Sequence, residues 1–479
     1  MVKLWTMKNL FNTSPRLPFY VLAIGIYLII VCQDLLSNGM FLDGLIYSTV
    51  AKNLANGIGT FWNPHFSATL LQNFHEHPPL AMGIQSIFYK IFGESRFADR
   101  FYSLLTLLIS GIVLIKIWKT LGYKNGWIPL FIWLTTATVF WTSYNNLLEN
   151  TLTVFTSLSV LFYLKYEENN KFYLILLSGI ALAFGFLTKG FVAFFPWTFP
   201  FLWWLLRRHK KFGRQVLEST GLFFFTITPL FLLVIFSPIA RASLLEYINH
   251  QVIDSIKNSI TVDSRLDIIK RLLNEIAPAA GMFILLQILR LVTKSGIAIG
   301  RENTIKALAF IFLGLTGVFP IMISMKQSGF YILPTYPLFS IGAAILMYSY
   351  IDSFTERIDF KSHGFLFFKW IAYAVFFSGI FLSLWYSDGY SRDRDKIRDV
   401  YAIISVVPEG SVININPVMY EDWSLHAYFA RFKNISLDQD LNNRREYLLI
   451  KNENFSDTLN STYNIVKINT TGYSLLRNK

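Results

Sequence analysis

The chain has 479 residues, 53% hydrophobic, 17% aromatic and 15% charged, with a mean hydropathy of +0.42 and a net charge of +13. Its 43 Lys and Arg and 30 Asp and Glu are too few to cover soluble domains of that length, which excludes a water-soluble globule and points to a polytopic α-helical membrane protein. A single cysteine, Cys32, lying in an apolar run, excludes an intramolecular disulfide and a cysteine-based metal site.

Crossing ~30 Å of hydrocarbon takes about 20 apolar residues. Eleven stretches fit: 17–36, 98–117, 126–144, 147–166, 172–189, 191–206, 217–238, 275–293, 306–324, 331–351 and 369–387. The first follows Lys3, Lys8 and Arg16 with no small-residue cleavage site after it, so it reads as a retained span and not as a secretory signal.

The loop 37–97 is too long for a connector. Leu45, Thr49, Val50 and Leu54 form a helical stripe with Lys52, Asn53 and Asn56 off it, which predicts an interfacial helix over Asp43 to Asn56. Asp43 stands at its N-terminus, where it is either an N-cap or a functional carboxylate. Then comes Phe74-His75-Glu76-His77-Pro78-Pro79-Leu80. Proline keeps His77 extended, and Pro79 opens a second amphipathic helix through Leu80, Ile84, Ile87, Phe88 and Ile91, leaving Glu76 and His77 at the water boundary.

Glu149 opens the fourth span, Lys189 lies between the fifth and sixth, and Lys326 and Tyr331 precede the tenth. Singly, such residues can be mere snorkelling groups. Arg207, Arg208, Lys210, Lys211 and Arg214 form the densest basic cluster, a topology anchor before a nucleic-acid site. With the N-terminus cytoplasmic, the inner segments hold 20 Lys and Arg and the outer loops 11. An odd number of spans then exports the C-terminus. In the outer loop 239–274, Glu246, His250 and Asp254 recur every four residues, so they share a helical face that is either solvated or able to hold a ligand.

Residues 388–479 turn charged and polar, predicting an extracytoplasmic α/β domain after the membrane module 1–387. Ile397, Val400, Tyr401 and Ile404 recur at helical spacing up to Pro408-Glu409-Gly410. Val412–Ile415, Tyr447–Lys451, Asn464–Ile468 and Tyr473–Leu476 read as strands, the last two joined by Thr470-Thr471-Gly472. The domain holds no phosphate loop or nucleophile motif, which points to accessory work.

The polar groups thus gather at one membrane face, while the spans hold few ionisable residues and no clear internal repeat. That favours chemistry on an amphiphile with its head group at the outer surface over a lipid or glycan flippase or transporter, the alternative reading, or a scaffold. At these residues residues 17–387 resemble the bacterial integral-membrane glycosyltransferases of the protein mannosyltransferase and aminoarabinose transferase type, with the GT-C fold. The resemblance rests on Asp43 with Tyr47, on His75-Glu76-His77-Pro78-Pro79-Leu80 (similar to the family's Glu-Lys-Pro-Pro-Leu), on Leu187-Thr188-Lys189-Gly190 and on Tyr331-Ile332-Leu333-Pro334-Thr335-Tyr336-Pro337.

The resemblance implies transfer of a sugar from a polyprenyl-phosphate carrier to a lipid, protein or glycan acceptor at the outer face of the bacterial inner membrane, with no nucleotide sugar, no organic cofactor and no nucleic acid involved. Asp43 would be the general base and Glu149 a second catalytic acidic residue. Glu76 and His250 would hold a divalent metal, Zn²⁺, Mn²⁺ or Mg²⁺. His77, Lys189, Lys326, Tyr331 and Tyr47 would bind substrate, mainly its phosphate, with His77 departing from the family's lysine. Independently of the family, inverting displacement at an anomeric carbon needs a base for the incoming hydroxyl and positive charge on the departing phosphate.

Overall fold

The computed structural model describes residues 15–253, 259–294, 298–454 and 462–479. Among these, seven helical stretches are long and apolar enough to cross a membrane, or eight if the bent pair Ala137–Ser143 and Leu148–Asn169 is one crossing. The eleven expected spans depart from this in three places. Leu17–Val31 has 15 residues and lies along His363–Trp385, where Gly25 and Gly379 let the backbones touch. The segment 126–144 is broken into Trp127–Leu134 and Ala137–Ser143, because the Thr135 and Thr136 hydroxyls bond back to the Phe131 and Ile132 carbonyls at 2.8 and 2.9 Å and bend the turn. The segments 172–189 and 191–206 form one helical run, Tyr173–Arg207. That run reverses at Gly190 (φ +73°), since a Cβ on Gly185 would sit 3.0 Å from the Ala193 Cβ, far closer than eight residues of straight helix allow.

One apolar core, including Leu114, Trp118, Ile175, Phe310 and Ile345, ties the long helices together. A second joins the first large loop to the C-terminal region: Val50, Phe66, Phe74 and Met82 pack in one cluster with Ile397, Ile413, Phe429 and Leu437. The C-terminal domain is a five-stranded sheet in the order Ser436–Asp438, Val412–Ile415, Tyr447–Lys451, Tyr473–Asn478, Tyr463–Ile465. The first three strands are parallel and the last two antiparallel, with helices Arg394–Ile404 and Trp423–Lys433 completing it. The expected strands and hairpin are present, while Trp423–Lys433 and Ser436–Asp438 come in addition. The domain meets the first loop directly, with Thr69 Oγ1 donating to the Leu437 carbonyl at 2.7 Å, so both lie on the same side of the membrane.

Two expectations about that loop are corrected. Helix Leu42–Ala55 does not lie at a water boundary: Gly44 to Asn53 are all buried, because its polar side bonds to the C-terminal domain and its apolar side packs on Leu80–Phe92. In Leu80–Phe92 the inner face is Ala81, Met82, Gln85 and Tyr89, whereas Ile87, Ile91 and Phe92 point outward, as suits a face turned to lipid.

Candidate active site

Five stretches far apart in the chain close around one cavity of about 390 Å³. Asp43 and Tyr47, one turn apart on Leu42–Ala55, supply one wall. The start of that helix is held by Asn145, whose Oδ1 accepts the Phe41 N–H at 2.7 Å and whose carbonyl lies where a Cβ on Gly44 would be, 1.9 Å away. Asp43 sits inside the first turn and Phe41 is the cap residue, which sets aside the capping reading of Asp43. Glu76 and His77 come from the segment that Pro78 and Pro79 stiffen ahead of Leu80. Lys189 projects from the end of Tyr173–Lys189, Lys326 and Tyr331 from the segment before the next long helix, and Tyr247 and Gln251 from the second large loop. Gly190 permits this closure: a Cβ there would sit 1.8 Å from the Tyr247 hydroxyl.

Burial lifts the Asp43 carboxyl above the usual range, against the pull of Lys189 and Lys326. Burial likewise lifts Glu76, opposed by Lys326 and reinforced by Asp43. His77 moves the other way: burial, then Lys189 and Lys326, hold its imidazole well below the usual value and so neutral at pH 7. Its Nδ1 is buried with no hydrogen-bond partner, and its ring stands edge-on to Tyr47 with centroids 5.7 Å apart. Burial, then Asp43, Glu149 and Glu76, push Tyr47 well up and keep it a phenol. The Lys189 ammonium is ion-paired with Glu149 and lies 4.9 Å from the Tyr331 ring centroid, and Lys326 Nζ donates to Gln251 Oε1 at 3.2 Å.

Of the residues singled out in the sequence, Asp43, Tyr47, Glu76, His77, Lys189, Lys326 and Tyr331 line this cavity. Glu149 does not: it is fully buried behind Lys189, holding the ammonium with one oxygen while Oε2 has no partner. His250 is also placed elsewhere. Its Nε2 pairs with Glu246 Oε2 at 3.1 Å, with side chains 73% and 52% exposed, on the side of its helical segment away from the cavity. Asp254, the third member of that face, lies outside the described residues. Sequence reasoning missed Tyr247 and Gln251, which stand one position after Glu246 and His250 and share the neighbouring face of the same helical segment. Among the described residues no three His, Cys, Asp or Glu side chains are grouped to hold a metal ion. Glu76 lines the cavity and His250 does not, so the pair that the resemblance implied as metal ligands is not brought together.

Residues 76–240 match the family described as dolichyl-phosphate-mannose-protein mannosyltransferase. An uncharacterized protein of Aquifex aeolicus (strain VF5) is 29% identical over 168 residues, 34% of this chain and a third, 33%, of that relative's length. Among solved structures, ArnT from Cupriavidus metallidurans bound to undecaprenyl phosphate superposes with a TM-score of 0.66 at 15% identity, covering 96% of this chain and 97% of that one. The archaeal oligosaccharyltransferase AglB from Archaeoglobus fulgidus, in complex with an inhibitory peptide and a dolichol-phosphate, gives 0.50 at 12% identity over 94% and 70%. Across residues 76–240 the chain thus matches that family model in sequence, and along its length it shares the fold of ArnT.

Proposed function

We propose that the chain transfers a sugar from a polyprenyl-phosphate carrier to a hydroxyl of a lipid, protein or glycan acceptor, at the outer face of a bacterial inner membrane. The observation that carries this is one cavity lined by two carboxylates, Asp43 and Glu76, together with two lysines, Lys189 and Lys326. Its volume of about 390 Å³ lies in the small-ligand range of about 300 to 1,000 Å³. Asp43 takes the proton of the acceptor hydroxyl, whose oxygen then bonds to the anomeric carbon. The bond from that carbon to the phosphate oxygen breaks, the electron pair stays with the phosphate, and the two ammonium groups stabilise its added charge. Such a phosphate leaves without a general acid. Neutral His77 offers a ring N–H rather than a charge, and Tyr47 and Tyr331 shape the space beside it. Glu149 acts through Lys189 by pairing with its ammonium and holding it in place. The positive charge on the leaving group is assigned to the lysines, and no step passes through a metal ion.

The test is the purified full chain in liposomes with a radiolabelled polyprenyl-phosphate sugar and an extract of cell-envelope acceptors. Free polyprenyl phosphate should appear with acceptor present, and Asp43→Asn should slow its release by about 100- to 10,000-fold. An unchanged rate in that variant would remove Asp43 from the chemistry. Movement of lipid between leaflets with no glycosidic bond formed would establish a flippase instead.

A further inference from the structure

Helix Leu42–Ala55 has two working faces. Asp43 and Tyr47, four residues apart, look into the cavity, whereas Ser48 and Lys52, also four apart, look into the C-terminal domain. On that second face Arg431, from helix Trp423–Lys433, is buried against the loop helix. Its Nε donates to Ser48 Oγ at 2.8 Å, and its Nη2 donates to the Ser95 carbonyl at 3.1 Å and to Asp99 Oδ2 at 3.3 Å. Ser48 in turn donates to Asp99 Oδ2 at 2.7 Å, and the guanidinium lies 4.9 Å from the Tyr89 ring centroid. One residue earlier, the Ala430 carbonyl accepts from Lys52 Nζ at 3.0 Å. Arg431, Asp99, Ser48 and Lys52 are all buried, and the transfer chemistry uses none of them.

An apolar contact between two helices tolerates sliding and rotation. A planar guanidinium fixed by three acceptors on two different segments does not, since each of its N–H groups has one direction. Ser48 is the residue after Tyr47, so any rotation of the helix that breaks the Arg431 bond also swings Asp43 away from Lys189 and Lys326. We propose that Arg431 is a positioning residue that sets the rotation and height of Leu42–Ala55, and that the C-terminal domain thereby forms part of the catalytic unit. The link to catalysis rests on Asp43 being the base; the link between Arg431 and the helix does not.

Arg431→Lys keeps the charge and loses the fork, and Arg431→Met loses both; each is made in the full chain and reconstituted in liposomes. Per folded molecule, kcat should fall by about 10-fold for the lysine variant and about 100-fold for the methionine variant, with KM for the polyprenyl-phosphate sugar changed by less than about threefold. Amide hydrogen exchange gives a readout independent of activity. Residues 42–55 should exchange faster in both variants while the sheet strands Val412–Ile415 and Tyr447–Lys451 stay protected. A merely structural role would lower the yield of folded protein, expose sheet and helix together, and leave kcat per folded molecule unchanged. The proposal is overturned if kcat stays within about twofold in both variants, or if exchange across 42–55 is unchanged. Absence of transfer by the unaltered protein would refute the transferase reading, and the exchange measurement would still decide whether Arg431 holds the helix.

Discussion

If Asp43 is the base proposed above, it acts when ionised, so the rate should fall as the pH drops through its pKa. Burial has raised that pKa, and Lys189 and Lys326 hold it down. Taking away the charge of Lys326 therefore raises it further. In Lys326→Gln the acidic limb of kcat/KM should move to higher pH, besides the loss in rate from a weaker grip on phosphate; a limb that stays put would mean that the limb belongs to another group. A complete pH profile of both proteins separates the two effects. At this scale much of the cavity lining was legible in the sequence, because Asp43 and Glu76 lie in a loop too long for a connector and Lys189 and Lys326 at span ends, all on one membrane face. What did not show was partnership. The engagement of Glu149 with Lys189 does not follow from position along the chain, and the four-residue spacing of Glu246 and His250 put them on one face without saying that this face turns from the cavity.

Elements give a different lesson, since helix rotation decides which face works. The segment around Glu246 presents Tyr247 and Gln251 to the cavity, and Leu42–Ala55 is buried on both faces although its composition reads as half exposed. Periodicity finds a helix but cannot say that a distant domain covers its polar side. Two consequences can be measured. Gly190→Ala forces a side chain into a left-handed backbone and onto the Tyr247 hydroxyl, so it should cost about 1 to 3 kcal/mol in stability and displace Lys189, seen as a lower melting temperature together with lost activity. Lys52 is the second. Burial, then the nearby Arg431, lowers its pKa from 10.5 to about 8. Below about 8 the ammonium is charged whether the chain is folded or not, and its burial costs the full amount. Between about 8 and 10.5 the unfolded state binds more protons than the folded one, so stability should rise with pH across that window. Melting temperatures between about pH 7.5 and 10 should climb for this lysine, and the climb should flatten in Lys52→Met.

On the scale of the whole molecule, the cavity, the first large loop and the C-terminal domain share one side. From the distribution of Lys and Arg we propose that this side is the exterior. Reporter fusions should therefore read cytoplasmic at Lys211 and extracytoplasmic at Lys479, and an inside signal at Lys479 would turn the site toward the cytoplasm. The layout of spans was largely readable because lipid demands long apolar runs, including the turn between 189 and 191; the break at Thr135 and Thr136 was not, since it turns on local backbone bonding. The core shared by the first loop and the C-terminal domain also has a bearing on biosynthesis. Lys52 and its partner Ala430 are 378 residues apart, so at about 5 to 20 residues per second the loop waits roughly 20 to 75 s for the domain that covers it. Through that interval Val50, Phe66 and Phe74 lack their cover, and the wall carrying Asp43 is unsupported. A ribosome-bound chain is then a client for whatever shields apolar surface outside the membrane, and the wall of the pocket is completed only when the domain carrying Ala430 arrives.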